Sequence, residues 1–321
     1  MYAIASSPGK AILFGEHFVV ENQPAIAVAL SLRARVKASL MDASVIRVSS
    51  RNLSMARKFA IPPSGEGDPL FPVAYSAYLV MERIGSPRGI DIEVDSSIPP
   101  GSGMGSSASV AVATIAATSY VLGAELSPEE ISKLAFESEK IVHGRPSGID
   151  NTIATFGGAI AYRKGEGFLR LNVDFSEVSL VLADTGRARN TGEFVKRVLA
   201  LKEAFPNVLE PIYYAAGRLA VEAAKLMERG DWEAVGVLMN VNHGLLSAIG
   251  VSTQEIEQLV YTARRAGALG AKLTGAGGGG FIVALCRKGS ENAVAKELEK
   301  ISPRVIISNV SSEGVVVEAK S

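Results

Sequence analysis

The stretch Pro99-Pro100-Gly101-Ser102-Gly103-Met104-Gly105-Ser106-Ser107-Ala108-Ser109 constrains this chain more than any other. Two prolines end an extended segment, three glycines at alternate positions remove side chains, and a run of small apolar residues to position 122 follows. The order reads as strand, glycine-rich turn, helix N-terminus. Glycine tolerates positive φ and lets the backbone approach a ligand closely. The first N–H groups of a helix lack intrahelical partners and, with the helix dipole, favour an anion. The stretch is a candidate phosphate cradle, although a glycine-rich connection that only turns the chain into a helix would read the same way. It is not a Walker loop, because no Gly-Lys-Ser/Thr ends it. Nor is it a dinucleotide fingerprint, because Gly101, Gly103 and Gly105 are spaced G-x-G-x-G.

The 321 residues are enough for a sizeable core and about two domains. Lys+Arg and Asp+Glu number 33 each, so no charge excess points to a nucleic acid or another polyanion. A single cysteine, Cys286, leaves no internal disulfide and suits a reducing compartment. The N-terminus carries no signal-peptide pattern, and the small-apolar run 108–122 is interrupted by Ser109, Thr114, Thr118 and Ser119 and is too short for a membrane span. The expectation is a soluble, cytoplasmic protein with no nucleic-acid or membrane partner.

Residues 3–7 and 11–14 read as strands flanking Ser7-Pro8-Gly9-Lys10, with further strands over 33–41 and 45–48. Residues 50–72 are polar and bear Pro and Gly, and read as loop. A helix over 72–84 precedes a strand over 89–94 that alternates with period two and delivers the chain to the opening loop. Ser127-Pro128-Glu129-Glu130 announces the next helix with an N-cap, a first-turn proline and a capping box. Its inner stripe is Ile131, Leu134, Ala135, Ser138 and Val142, with Glu139 beside it and Glu137 pointing elsewhere. His143-Gly144-Arg145-Pro146-Ser147-Gly148 breaks that helix, and Asp150 stands at the head of a short new one. A hairpin over 159–171 ends the first unit, so the expected domains are 1–170 and 171–321. The second unit reads as α+β: a strand over 178–183, helices over 191–203, 211–229, 231–244 and 253–265, then strands and one helix around a second glycine loop.

That second loop, Gly275-Ala276-Gly277-Gly278-Gly279-Gly280, matches G-x-G-x-x-G, but a strand sequence follows it where a dinucleotide fingerprint opens a helix. Lys10 and the Glu16-His17 pair lie at opposite ends of one short strand. An N-cap role for Asp150 and a surface role for Glu139 are ordinary alternatives for each residue taken alone. Together with the anion cradle and Lys10, however, the two carboxylates make the parts of phosphoryl transfer, where positioning and electrostatic stabilisation do most of the work.

Pro8-Gly9-Lys10-Ala11-Ile12-Leu13-Phe14-Gly15-Glu16-His17, the 99–108 loop and Lys272-Leu273-Thr274-Gly275-Ala276-Gly277-Gly278-Gly279 resemble the three motifs of the GHMP kinases, in order and across nearly the whole chain. Within that family, the 8–17 segment and the segment from Glu139 to Asn151 are most similar to those of mevalonate kinases, and the length of 321 residues resembles the compact prokaryotic type. The resemblance implies an α+β, two-domain GHMP kinase fold, with a mixed α/β N-terminal domain and a ferredoxin-like C-terminal domain. It implies ATP and mevalonate as substrates in the mevalonate route to isoprenoids and Mg²⁺ as cofactor. Separately, an exposed helix of the second domain leaves room for a homodimer, though no residue demands one.

By the same resemblance, Pro99, Pro100, Gly101, Ser102, Gly103, Met104, Gly105, Ser106, Ser107 and Ala108 would wrap the ATP phosphates. Ser107 and Glu139 would hold the metal, and Asp150 would take the hydroxyl proton beside Lys10. Glu16, His17, Thr185 and Gly277 would line the acceptor side. Two alternatives stand beside this reading. One is another small-molecule kinase of the family, acting on phosphomevalonate or a sugar. The other is a non-catalytic binding protein or regulator, against which the intact Lys10, Glu139 and Asp150 argue.

Overall fold

The computed structural model describes residues 1–143, 146–187 and 191–320. Its first sheet is founded on two long antiparallel strands, β1 (Tyr2–Phe14) and β2 (Ala25–Leu40). The expected interruption at Ser7-Pro8-Gly9-Lys10 is absent. β1 runs through it with a shift of register between Pro8 and Lys10. Proline has no N–H to give the ladder, and a bulge lets the strand continue past it. The sheet widens through β3 (Ile46–Ser50), β4 (Met55–Phe59) and β5 (Ile90–Ser96), with β5 antiparallel to β2 and parallel to β3. β4 falls inside the stretch expected to be loop. It is an edge strand whose Ala56, Arg57 and Lys58 are exposed, so it shows no apolar alternation and its charges block further pairing.

Helices α1 (Phe71–Ile84), α2 (Ser106–Val121), α3 (Pro128–His143) and α4 (Ile149–Phe156) pack beside this sheet. α2 is the central one: Ala111, Val112, Ile115 and Ala116 join Val36 and Ile92 of the sheet and Ala74 and Val80 of α1 in one core. Its small side chains let it approach neighbours on several sides. α3 begins as expected. Ser127 Oγ accepts from Glu130 N at 3.2 Å and Glu130 Oε2 accepts from Ser127 N at 3.0 Å, a reciprocal capping box. Of the break after α3, Gly144 and Arg145 lie outside the described residues. Gly148, at φ 87°, caps α4.

The hairpin of β6 (Ala159–Arg163) and β7 (Gly167–Leu171) joins the first sheet through β2. A second, antiparallel sheet follows, formed by β8 (Val178–Asp184), β9 (Gly270–Leu273), β10 (Phe281–Arg287) and β11 (Val305–Ser308) in the order β11-β8-β10-β9. Between and after these strands lie α5 (Thr191–Ala204), α6 (Pro206–Glu228), α7 (Trp232–Ala248), α8 (Gln254–Arg265) and α9 (Glu291–Leu298). Pro211 does not start a helix. It lies inside α6, which begins with Pro206 in its first turn, where a missing N–H costs nothing.

The final strand, β12 (Val316–Lys320), leaves the second half and pairs with β1. The chain therefore crosses between the two sheets twice. No helix among the described residues is long and apolar enough to cross a membrane.

Candidate active site

β1 is the spine on which the functional loops are hung. The glycine loop 99–105 joins β5 to α2 and is fixed to β1 from two directions. Lys10 N donates to Met104 O at 2.8 Å, and Ser109 Oγ donates to Pro8 O at 2.6 Å. Gly105 adopts φ 71°, and a Cβ built there would lie 3.0 Å from Lys10 Cγ and 3.8 Å from Asp150 Oδ2. The third glycine of the loop thus presents bare backbone to two charged side chains. α2 starts at Ser106 with no side-chain cap, which leaves its leading N–H groups for an anion. The hydroxyls of Ser106 and Ser107 bond to no protein group among the described residues.

Lys10 Nζ stands 3.3 Å from Asp150 Oδ1. Asp150 lies in the first turn of α4 but is not its cap, so the lysine, not the helix, engages its carboxylate. α4 is held in place from two sides. Ser7 Oγ donates to Ala154 O at 2.8 Å, and Asn151 Nδ2 donates to Ser132 O and Oγ on α3 at 3.0 and 2.9 Å. Glu139, on α3, is buried beside this pair. Desolvation, with the charge of Asp150, pushes its carboxyl up to about 8, while Lys10 pulls the other way. Glu137 turns outward to Lys140, as the helical stripe requires.

A cavity of about 440 Å³ opens next to the loop, lined among others by Leu53, Leu70, Val94, Ile98 and Val110 and reaching Ser106 and Ser107. The sequence carries little sign of it. Its walls come from two strands, three helices and the loops between them, and each residue reads locally as core or connection.

The second glycine loop, 275–280, connects β9 to β10 as a hairpin, which removes the dinucleotide reading. It too is hung on β1. Thr274 Oγ1 accepts from Ile12 N at 3.1 Å and donates to Ile12 O at 3.2 Å, and His17 Nε2 lies 2.8 Å from Ala276 O. Burial pushes the His17 imidazole down, against that bond. Thr185, after β8, donates its N–H to Gly280 O at 2.8 Å. At Gly277 (φ 71°) a Cβ would meet Val251 O at 2.2 Å, so this glycine is required by packing against the turn after α7. Glu16, expected on the acceptor side, has a partner inside the protein. It is 1 % exposed and forms an ion pair with Lys272, facing the protein interior.

Known proteins resemble this chain along nearly its whole length. The model of the GHMP kinases N terminal domain matches residues 72–158, and that of the GHMP kinases C terminal domain matches residues 223–303. The mevalonate kinase of Pyrococcus horikoshii is 42% identical over 335 aligned residues, covering 100% of this chain and 99% of that one. Among solved structures, the Methanococcus jannaschii mevalonate kinase superposes with a TM-score of 0.87 at 27% identity, over 97% of this chain and 99% of that one. The L. major mevalonate kinase in complex with R-mevalonate gives 0.82 at 31% identity, over 96% of each chain.

Proposed function

The chain belongs to the GHMP kinase family, and on that premise we propose that it transfers the γ-phosphoryl group of ATP to the C5 hydroxyl of mevalonate, giving 5-phosphomevalonate and ADP. The observation that carries this reading is the meeting of Gly105, Lys10 and Asp150 at one point, inside a fold shared over its full length with mevalonate kinases. A cradle for phosphate there is a cradle within reach of a proton acceptor.

The nucleoside of ATP occupies the apolar cavity beside α2, and its phosphates follow the backbone of residues 99–108 onto the helix N-terminus. The acceptor hydroxyl lies at Asp150, and His17 and Thr185, with the second glycine loop, close the far side. An alcohol holds its proton far above neutrality, so Asp150 takes it as the oxygen–phosphorus bond forms and not before. Lys10, beside the same carboxylate, stabilises the charge developing on the attacking oxygen and orients Asp150.

The residues also fit a magnesium ion. Glu139 is a buried carboxyl short of positive charge, and Ser107 offers an uncommitted hydroxyl, both hard oxygen donors. Among the described residues no three His, Cys, Asp or Glu cluster into a closed metal centre. That suits an ion that takes one or two protein ligands and completes its shell with phosphates and water. When bound with ATP, the ion neutralises charge on the β- and γ-phosphate oxygens.

The deciding experiment supplies Mg-ATP with mevalonate, phosphomevalonate, galactose or homoserine and follows ADP release and the phosphorylated product. Turnover of mevalonate above the other three is expected. Absence of 5-phosphomevalonate would end the proposal.

A further inference from the structure

Glu16 and Lys272 form a buried pair that the chemistry above does not use. The Lys272 side chain is wholly buried and that of Glu16 almost so, and the two meet in a direct ion pair between Oε1 and Nζ. Glu16 Oε2 also accepts from Asn242 Nδ2 on α7 at 3.3 Å, and Lys272 Nζ donates to Leu273 O at 2.6 Å. Burial drives the carboxyl up and the ammonium down, and each charge offsets part of the effect on the other. Either charge alone would be stranded without water. A pair of this kind is weak as a source of stability compared with apolar residues of the same volume.

Its place in the sequence suggests what it contributes instead. Lys272, Thr274 and Ala276 are alternate residues leading from β9 into the second glycine loop. Each one docks on the end of β1 or just beyond it: on Glu16, on Ile12 and on His17 respectively. Ile12 and Glu16 follow Lys10 along the same piece of chain, and Lys10 holds both the first glycine loop and Asp150. Thr274 makes two hydrogen bonds to the backbone of Ile12 and His17 one to that of Ala276, and such bonds to backbone can be remade after a shift along the strand. The ion pair cannot, because a shift would leave two charges buried and unpaired.

We propose that Glu16 and Lys272 are a positioning pair that locks the register of the second glycine loop against β1, and through β1 against Lys10 and Asp150. In this assignment Glu16 does not touch the phosphoryl acceptor. The kinetic readout rests on the kinase reading above; the coupling between the two residues does not.

The test is a double-mutant cycle with E16Q, K272M and the variant carrying both, measured for kcat, for KM of each substrate and for thermal denaturation midpoint. K272M, which strands the carboxylate, is expected to lower kcat at saturating substrates by about tenfold or more, with a lower midpoint. The double variant, free of buried charge but also of the lock, is expected to regain the midpoint while its kcat stays about tenfold or more below that of the unsubstituted enzyme. A double variant whose kcat returns to within about threefold of the unsubstituted enzyme would overturn the proposal, because the loop would then hold its register without the pair. So would an E16Q enzyme whose only defect is a KM for mevalonate raised about tenfold, the mark of a residue that binds substrate directly. Should K272M fail to fold, E16Q and the double variant still decide between these outcomes. If the enzyme proves to act on another member of the substrate panel, the cycle is read with that acceptor, so a wrong substrate and a wrong pair give different results.

Discussion

Lys10 Nζ lies 3.3 Å from Asp150 Oδ1, and the two side chains are unequally covered: that of the lysine is 6% exposed, that of the aspartate 30%. The lysine backs the carboxylate from inside while the carboxylate keeps an open edge. A hydroxyl can reach Asp150 without displacing Lys10, which is what a proton acceptor with a fixed orientation needs.

Replacing Asp150 by Asn keeps the shape and removes the acceptor. D150N is expected to lower kcat by about 10²–10⁴-fold, the usual worth of a positioned acid or base, with KM for ATP changed little. Steady-state kinetics with both substrates varied would check it, and full turnover in D150N would remove Asp150 from the reaction.

Glu139 gives the metal-free protein a stability that depends on pH. Its folded carboxyl is raised from 4.5 to about 8, so between those values the folded chain holds a proton that the unfolded chain releases. Folding stability therefore falls as pH rises through that window, and the stabilising effect of the proton is complete only below about 4.5. Urea denaturation of the metal-free protein at pH 5, 6.5 and 8 should show a decline that is shallower in E139Q. An equal decline in both proteins would show that Glu139 is not the titrating group.

The cavity beside α2 can be filled without touching the reacting pair. Val110 lines it at the end near Ser106 and Ser107. V110F is expected to raise KM for ATP by about tenfold while KM for mevalonate stays near its original value, because an occupied cavity excludes the nucleoside. A rise in both constants would mean that the larger ring had disturbed the whole site.

The capping box at the start of α3 should matter to stability alone. S127A removes the acceptor for Glu130 N and is expected to lower unfolding free energy by about 1 kcal/mol, with kcat unchanged. Chemical denaturation beside an activity assay would separate the two effects.

The sequence alone singles out several residues of this candidate site. The two glycine loops, Lys10, Glu139 and Asp150 stood out because phosphate binding needs bare backbone at a helix start, and because a helical stripe tells an inward Glu139 from an outward Glu137. Glu16, at the end of an apolar strand, reads in the sequence as a residue lining the acceptor side. Nothing local distinguishes a carboxylate at a strand end that meets a ligand from one that meets a lysine on a distant strand. The cavity beside α2 is hidden in the sequence for a related reason, since no single segment of its wall looks like a site.

What the sequence determined by itself is therefore what short-range physics controls. The capping box of α3, the glycine turn into α2, the close-packing run of that helix and the hairpin of β6 and β7 all depend on residues a few positions apart. Tertiary structure decided the rest: that β1 runs unbroken past Pro8, that β12 returns to its edge, that Lys10 meets Asp150 and that Glu16 turns inward to Lys272. Those outcomes are set by strand register and by desolvation, and both depend on groups that are neighbours only once the chain has folded.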